Sequence, residues 1–177
     1  ERIIYWPNGT DVAEFHIEKP KIETRRELNV PLDKKIVMYT GQLFGWKGVD
    51  SLLRSVSMLS PDTLVYLIGG AKEDVARCKK EIPEANDKRV FFVPFQPHAK
   101  IPLWLHCADV LVLPNTGKQK VSLYYTSPMK LFEYIASGVP VVSSRIPSIE
   151  EIVTESEVFF VEADSAKSFA EGIKKAV

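Results

Sequence analysis

The stretch Ile36-Val37-Met38-Tyr39-Thr40-Gly41-Gln42-Leu43-Phe44-Gly45-Trp46-Lys47-Gly48 starts as an apolar run of strand length and breaks at a turn with three glycines. Directly after it, Leu52, Leu53, Val56 and Leu59 recur at helical spacing, so Val49–Leu59 reads as a helix with one apolar stripe on a core. Strand, turn, helix is the repeating unit of a parallel sheet, and the rest of the chain repeats it. Further strands are expected at Leu64–Ile68, Val90–Val93, Val110–Leu113, Val139–Val142 and Val158–Val161. Helices are expected at about Ala71–Ile82, Ile101–Cys107, Pro128–Ser137, Ile149–Val153 and Ala166–Val177. The strand runs are nearly continuous Val, Ile, Leu and Phe, which requires helices over both faces. The expected fold class is therefore α/β, a Rossmann-like doubly wound parallel sheet of about six strands.

Residues 1–34 differ from this pattern. They are polar, carry Pro7, Pro20 and Pro31, and include the charged run Lys19–Glu27. They read as a linker with a short helix, leaving 35–177 as the domain. The chain opens on a strand-like segment and stops inside a helical pattern at Ala176-Val177, so a piece of a longer protein is expected.

At 177 residues, with 45% hydrophobic and 26% charged residues, the chain can bury one substantial core. Lys and Arg number 23 and Asp and Glu number 23, so bulk charge points neither to nucleic acid nor to a membrane surface. Any anion site must be local. Cys78 and Cys107 lack CxxC spacing and read as buried thiols in a reducing compartment rather than as a disulfide or zinc framework. No apolar run reaches the roughly 20 residues needed to cross a bilayer, and the first five residues are not a signal peptide.

Ligands of doubly wound sheets bind beyond the carboxyl ends of the strands, so the segments after each strand are the candidates. In Gly41–Gly48 the glycines let backbone approach a ligand, and Lys47 beside a helix start favours phosphate; an ordinary strand-to-helix turn fits equally. The turn is neither GxGxxG nor a Walker A loop. After the fourth strand comes a polar stretch without periodicity, Asn115–Thr126, of a length that compact domains keep for function or mobility. It ends at Ser127, a good N-cap, and Pro128, a preferred first helical residue. In the helix that follows, Lys130 and Glu133 share a face, while Leu131, Phe132 and Ile135 are expected to pack inward. The pair suits phosphate and sugar hydroxyls, or else forms a solvated salt bridge. The turns Gly69-Gly70 and Pro94-Phe95-Gln96-Pro97 can receive a planar base, and plain turn chemistry also accounts for them. His16, His98 and His106 read as surface or packing residues, with no orienting carboxylate suggested nearby.

Taken together, these segments resemble the family 4 retaining glycosyltransferases, whose GT-B architecture sets two Rossmann-like domains face to face. The resemblance covers nearly the whole chain. It rests on Pro7-Asn8-Gly9-Thr10-Asp11 and Phe15, on Tyr39-Thr40-Gly41-Gln42-Leu43 with Trp46-Lys47-Gly48-Val49-Asp50, and on the Gly69-Gly70 turn. It continues with Ile101-Pro102, Ala108-Asp109-Val110 and Leu113-Pro114. Its most specific piece is Ser127-Pro128-Met129-Lys130-Leu131-Phe132-Glu133-Tyr134 with Ala136-Ser137-Gly138 and Pro140-Val141-Val142.

The resemblance implies the C-terminal, donor-binding half of the fold. Lys47 would contact the donor diphosphate, and Ser127, Pro128, Met129 and Lys130 would receive the same phosphates at the helix start. Gly41, Gln42, Gly69 and Phe95 would complete the donor site, and Glu133, the second Glu of the family's pair, would bind ribose hydroxyls. Lys47 and Lys130 would be the catalytic cations, stabilising charge on the departing diphosphate. The chain departs from the pattern at Tyr125, where the first Glu falls, and at Gln42, where many members have Arg.

The implied activity is transfer of a glycosyl group from a nucleoside-diphosphate sugar to an acceptor hydroxyl with retention, without metal or other cofactor. The partners implied are the sugar donor and an N-terminal acceptor domain of the same polypeptide preceding Glu1, with any peripheral membrane association falling to that domain. The setting would be polysaccharide or glycoconjugate synthesis, cytoplasmic or at the cytoplasmic membrane face. An isolated half leaves the reacting carbon in water and is not expected to transfer sugar. Two rivals stay open, a nucleotide-sugar epimerase of the same fold and a non-catalytic nucleotide-binding α/β module.

Overall fold

The computed structural model describes Arg2 and residues 8–177; Glu1, Ile3 to Tyr5 of the strand-like start, Trp6, and Pro7 of the linker motif lie outside the described residues. The strands are β1 Lys35–Thr40, β2 Thr63–Ile68, β3 Val90–Val93, β4 Val110–Leu113, β5 Val141–Ser144 and β6 Phe159–Val161. They form one sheet in the order β3-β2-β1-β4-β5-β6, and every pairing is parallel. The strand order therefore reverses between β1 and β4, the topological switch point beside which such sheets bind ligands. The helices are α1 Val12–Phe15, α2 Lys21–Glu27, α3 Val49–Ser55, α4 Lys72–Glu81, α5 Ile101–Cys107, α6 Lys120–Tyr124, α7 Met129–Ala136, α8 Pro147–Glu150 and α9 Ala166–Ala176. Among the described residues no helix is long and apolar enough to cross a membrane.

Successive side chains of a strand point to opposite faces, and β1 divides the core accordingly. Ile36 and Met38 join Leu105 of α5 and Leu131 and Tyr134 of α7 on one face. Val37 and Tyr39 join Leu52 and Leu53 of α3 and Phe169 and Ile173 of α9 on the other. Covering both faces is what the unbroken apolar runs demanded. Cys78 and Cys107 are buried free thiols, and burial pushes the Cys107 thiol up to about 11.

Several boundaries differ from the sequence expectation. The stripe at Val49–Leu59 is α3 followed by a 3₁₀ turn at Val56–Met58, and β5 begins two residues later than Val139 and runs on through the buried Ser143 and Ser144. The helix expected at Ile149–Val153 is α8, which Pro147 opens earlier and which ends at Glu150. The stretch Asn115–Thr126 is not all loop, since it contains α6.

Residues 20–34 pack on the sheet through the buried Val30 and through an ion pair of α2. Arg25 of α2, only 6% exposed, donates to the carbonyls of Cys107 (3.0 Å) and Lys34 (3.1 Å) and to Asp109 Oδ2 (2.7 Å). The same Asp109 oxygen accepts the Ile36 N–H at 2.8 Å, so one carboxylate joins α2 to the first residues of β1. Burial by itself would raise the Asp109 carboxyl; the Ile36 N–H and the guanidinium outweigh it and hold it below the usual carboxylate value. Removing one partner of a buried pair strands the other. Asp109→Asn is therefore expected to lower unfolding free energy by about 2–3 kcal/mol in urea titrations, below the full buried-pair range because Asp109 is partly solvated. Because the folded carboxyl titrates lower than the unfolded one, its contribution is present above about pH 4 and lost as pH falls through the folded value. The wild type should converge on Asp109→Asn in that acid range.

Candidate functional site

Tyr134 builds the site. Its buried hydroxyl accepts the Thr40 N–H at 2.8 Å and lies 3.2 Å from Thr40 Oγ1, pinning α7 to the carboxyl end of β1. Lys130 is one turn before Tyr134 on the same helix face, so the pin lays its side chain over the β1 turn. A Cβ added to Gly41 would sit 2.2 Å from Lys130 Cε. Gly48, at φ +70°, brings backbone so near that a Cβ there would meet the Pro114 carbonyl oxygen at 1.8 Å. This locks the Lys47 turn against the loop leaving β4.

Two cavities on this edge hold the candidate residues. The larger, about 320 Å³, is lined by Gly41, Gln42, Lys47, Gly69, Phe95, Lys130 and Glu133 among others. The second, about 210 Å³, is lined by Lys47, Ser127, Pro128, Met129 and Lys130, with Asn115 and Thr126. Lys47 and Lys130 belong to both. Each of the ten site residues named from the sequence lines one of these two cavities. Gly117, in the stretch after β4, lines neither cavity; its N–H and the Thr116 hydroxyl instead bind Asp164.

The larger cavity carries one carboxylate, Glu133, but it does not pair with either lysine. Neither Lys47 nor Lys130 has a carboxylate within salt-bridge distance among the described residues. Lys47 packs its ammonium 3.8 Å from the centroid of the Trp46 ring. Burial first, and the charge of Lys130 second, pull the Lys47 ammonium below the ordinary lysine value. The α7 amides add positive potential at the same place. Such a site favours a dianionic group, and a diphosphate would neutralise both cations at once. Among the described residues no group of three His, Cys, Asp or Glu is placed to hold a metal ion.

Three local expectations need correction. Ser127 is not the N-cap of α7: Pro128 occupies that position in extended conformation, and the Ser127 hydroxyl is buried without a partner. Ile135 does not pack inward; α7 is rotated so that Leu131 and Tyr134 are buried while Ile135 stays 38% exposed, because the Tyr134 hydroxyl takes the Thr40 amide. Of the two readings left open for Lys130 and Glu133, the salt bridge with each other is not formed. Finally, His98 does have carboxylates beside it, Glu14 at 3.3 Å from Nδ1 and Glu133 at 3.5 Å from Nε2. Glu133 lies 35 residues from His98, so no local sequence signal announced the contact. His106 matches its packing reading, with Nε2 3.0 Å from the Lys19 carbonyl. Tyr125, 77% exposed, lies on neither cavity.

The profile of the glycosyl transferases group 1 family matches residues 20–177. The chain belongs to that family. It is 26% identical, over its whole length, to the putative colanic acid biosynthesis glycosyl transferase WcaI of Escherichia coli, of which it covers 44%. It is 27% identical to the D-inositol 3-phosphate glycosyltransferase of Corynebacterium glutamicum over 98% of this chain and 43% of that protein. Among solved structures it superposes on sucrose-phosphate synthase from Thermosynechococcus elongatus with a TM-score of 0.79 at 26% identity, covering 96% of this chain and 42% of that one. Anabaena HepE in complex with UDP shares the fold, with a TM-score of 0.81 at 22% identity over 95% of this chain and 46% of that one. This group 1 domain has the Rossmann-like α/β fold of GT-B proteins, and it spans less than half the length of these curated relatives.

The mutual repulsion of the two cations gives a direct check. In Lys130→Gln, the Lys47 amine followed by NMR should titrate at higher pH than in wild type, yet still below an ordinary lysine because its burial remains. An unchanged titration would mean that the two ammonium groups do not face a common cavity.

Proposed function

We propose that this domain is the C-terminal, donor-binding half of a family 4 retaining glycosyltransferase. It holds a nucleoside-diphosphate sugar by its diphosphate and its ribose. The observation that carries the reading is the pair of lysines, Lys47 and Lys130, brought to one mouth at the switch point. In transfer, negative charge grows on the diphosphate as the glycosyl bond breaks, and preorganised cations beside it lower that barrier. The sugar passes to an acceptor hydroxyl with its anomeric configuration kept, without a metal, and the diphosphate leaves into the Lys47–Lys130 mouth. Glu133, side chain 12% exposed at the floor of the larger cavity, accepts ribose hydroxyls. Phe95, 79% exposed at its lip, offers a face for the base.

The named glycosyltransferases among the relatives support the reaction class, and their greater length supports an acceptor half preceding this one in a longer polypeptide. The UDP carried by the HepE structure supports a nucleoside-diphosphate ligand. A cytoplasmic setting, at or away from the membrane face, belongs to the same reading, and any membrane contact is assigned to the acceptor half. The domain alone binds the donor but does not transfer, since closure of two domains excludes water from the reacting carbon.

Lys47→Ala and Lys130→Ala are each expected to weaken nucleoside-diphosphate binding by about 1–3 kcal/mol in calorimetry, the scale of a charge-assisted contact. Glu133→Gln should weaken nucleoside and diphosphate alike without loss of fold. Wild-type affinity in both lysine variants would remove the diphosphate reading.

A further inference from the structure

His98 opens the short turn that follows β3 and leads into α5, and it lines the larger cavity together with Glu133. Its ring lies between two carboxylates from distant parts of the chain. Nε2 is 3.5 Å from Glu133 Oε1 on α7, and Nδ1 is 3.3 Å from Glu14 Oε1 on α1. The ring edge also meets Phe15, whose side chain is buried at 1% exposure, with ring centroids 5.9 Å apart. Phe15 seats α1 on the domain, and α1 lies against α7. The imidazole thus touches both the linker and the carboxylate on the cavity floor. The other charged groups in reach are Lys130 on α7 and Lys47, both lining the same cavity, and Lys100 on the turn that carries His98.

We propose that His98 is a positioning residue of the nucleotide site, its imidazolium orienting the Glu133 carboxylate on one side while Glu14 of the linker holds the ring on the other. The inference rests on the reading of Glu133 as the ribose-binding group. Protonated, the ring is a cation within ion-pair distance of both carboxylates and has a donor nitrogen on each side, whereas the neutral ring is uncharged and has only one donor. A carboxylate has about four lone-pair sites, so Glu133 engaged through Oε1 keeps Oε2 for ribose hydroxyls. The extra cation also favours a diphosphate in a cavity already carrying two lysines. Both effects act in one direction: protonating His98 strengthens nucleotide binding and fastens α1 to the crevice. Histidine is the side chain that changes charge between about pH 5 and 8, so the coupling is read there.

The test is calorimetric titration of the chain with UDP, GDP and ADP, carrying the tightest binder forward from pH 5.5 to 8.5. The terminal phosphate of the nucleotide titrates in the same window, so the readout is the affinity ratio of wild type to His98→Gln at each pH. The ratio is expected near tenfold, about one charge-assisted contact, at the acid end, and to fall towards one at the alkaline end. Glu14→Gln should narrow the acid-end ratio, since it removes one of the two carboxylates that hold the ring. By linkage, nucleotide must also raise the pH at which the His98 ring of the wild type loses its proton, which NMR reads without any variant. A ratio that is constant with pH, or a ring titration that nucleotide does not move, overturns the proposal. If Lys47→Ala weakens binding while the His98 ratio stays flat, this inference alone fails. If no nucleotide binds the wild type, the donor-site reading fails and takes the inference with it.

Discussion

The backbone at Gly48 runs so close to the Pro114 carbonyl that a Cβ on any other residue would lie 1.8 Å from that oxygen. This approach joins the turn after β1 to the loop after β4, across the place where the strand order reverses. A second approach sits beside it: Gly69, at φ +107°, would press a Cβ to 2.7 Å from the Gly41 carbonyl oxygen. These contacts bring three strand ends to one edge with little side-chain bulk between them. The crevice is the space so cleared, and the cations are placed around it by the elements the glycines hold together. A larger residue at Gly48 would both strain a left-handed backbone position and separate the two walls.

Given that frame, electrostatics decide what the crevice accepts. Lys47 and Lys130 share a partly buried mouth and raise each other's energy, a cost the fold carries without returning it through a salt bridge. A group that binds there with two negative charges recovers that cost, so the ligand-free protein is poised for such a group. Stability is secured elsewhere. The Arg25–Asp109 pair and the two apolar faces of the sheet lie at the opposite ends of the strands or behind them, where they restrict the crevice least. The separation matches the general trade in which binding sites keep unfavourable local charge while the scaffold is over-determined.

The architecture was legible because strand identity here is a matter of uninterrupted apolar runs, and all six runs became strands in one parallel sheet. That the glycine turn and the Ser127–Glu133 segment meet at one edge was legible because both follow strands, and the resemblance to a known family sharpened which side chains to name. What escaped depends on contacts between distant residues. The rotation of α7 is set by Tyr134 reaching Thr40, 94 residues earlier, and an isolated helical wheel has no term for it. The five-residue α6 is too short to show a period. The His98 environment is assembled from Glu14 and Glu133, on either side of it in sequence, and only the fold brings them to one ring.

The central claim is that this edge of the sheet recognises a nucleotide through its diphosphate. Calorimetric comparison of UDP, GDP and ADP with their parent nucleosides tests it most directly, with the chain otherwise unchanged. The account predicts that one diphosphate binds at least about a hundredfold more tightly than its nucleoside, the equivalent of two charge-assisted contacts of roughly 1.4 kcal/mol each, and that added salt erodes this advantage. Equal affinity for nucleoside and diphosphate, or an advantage indifferent to salt, would contradict it.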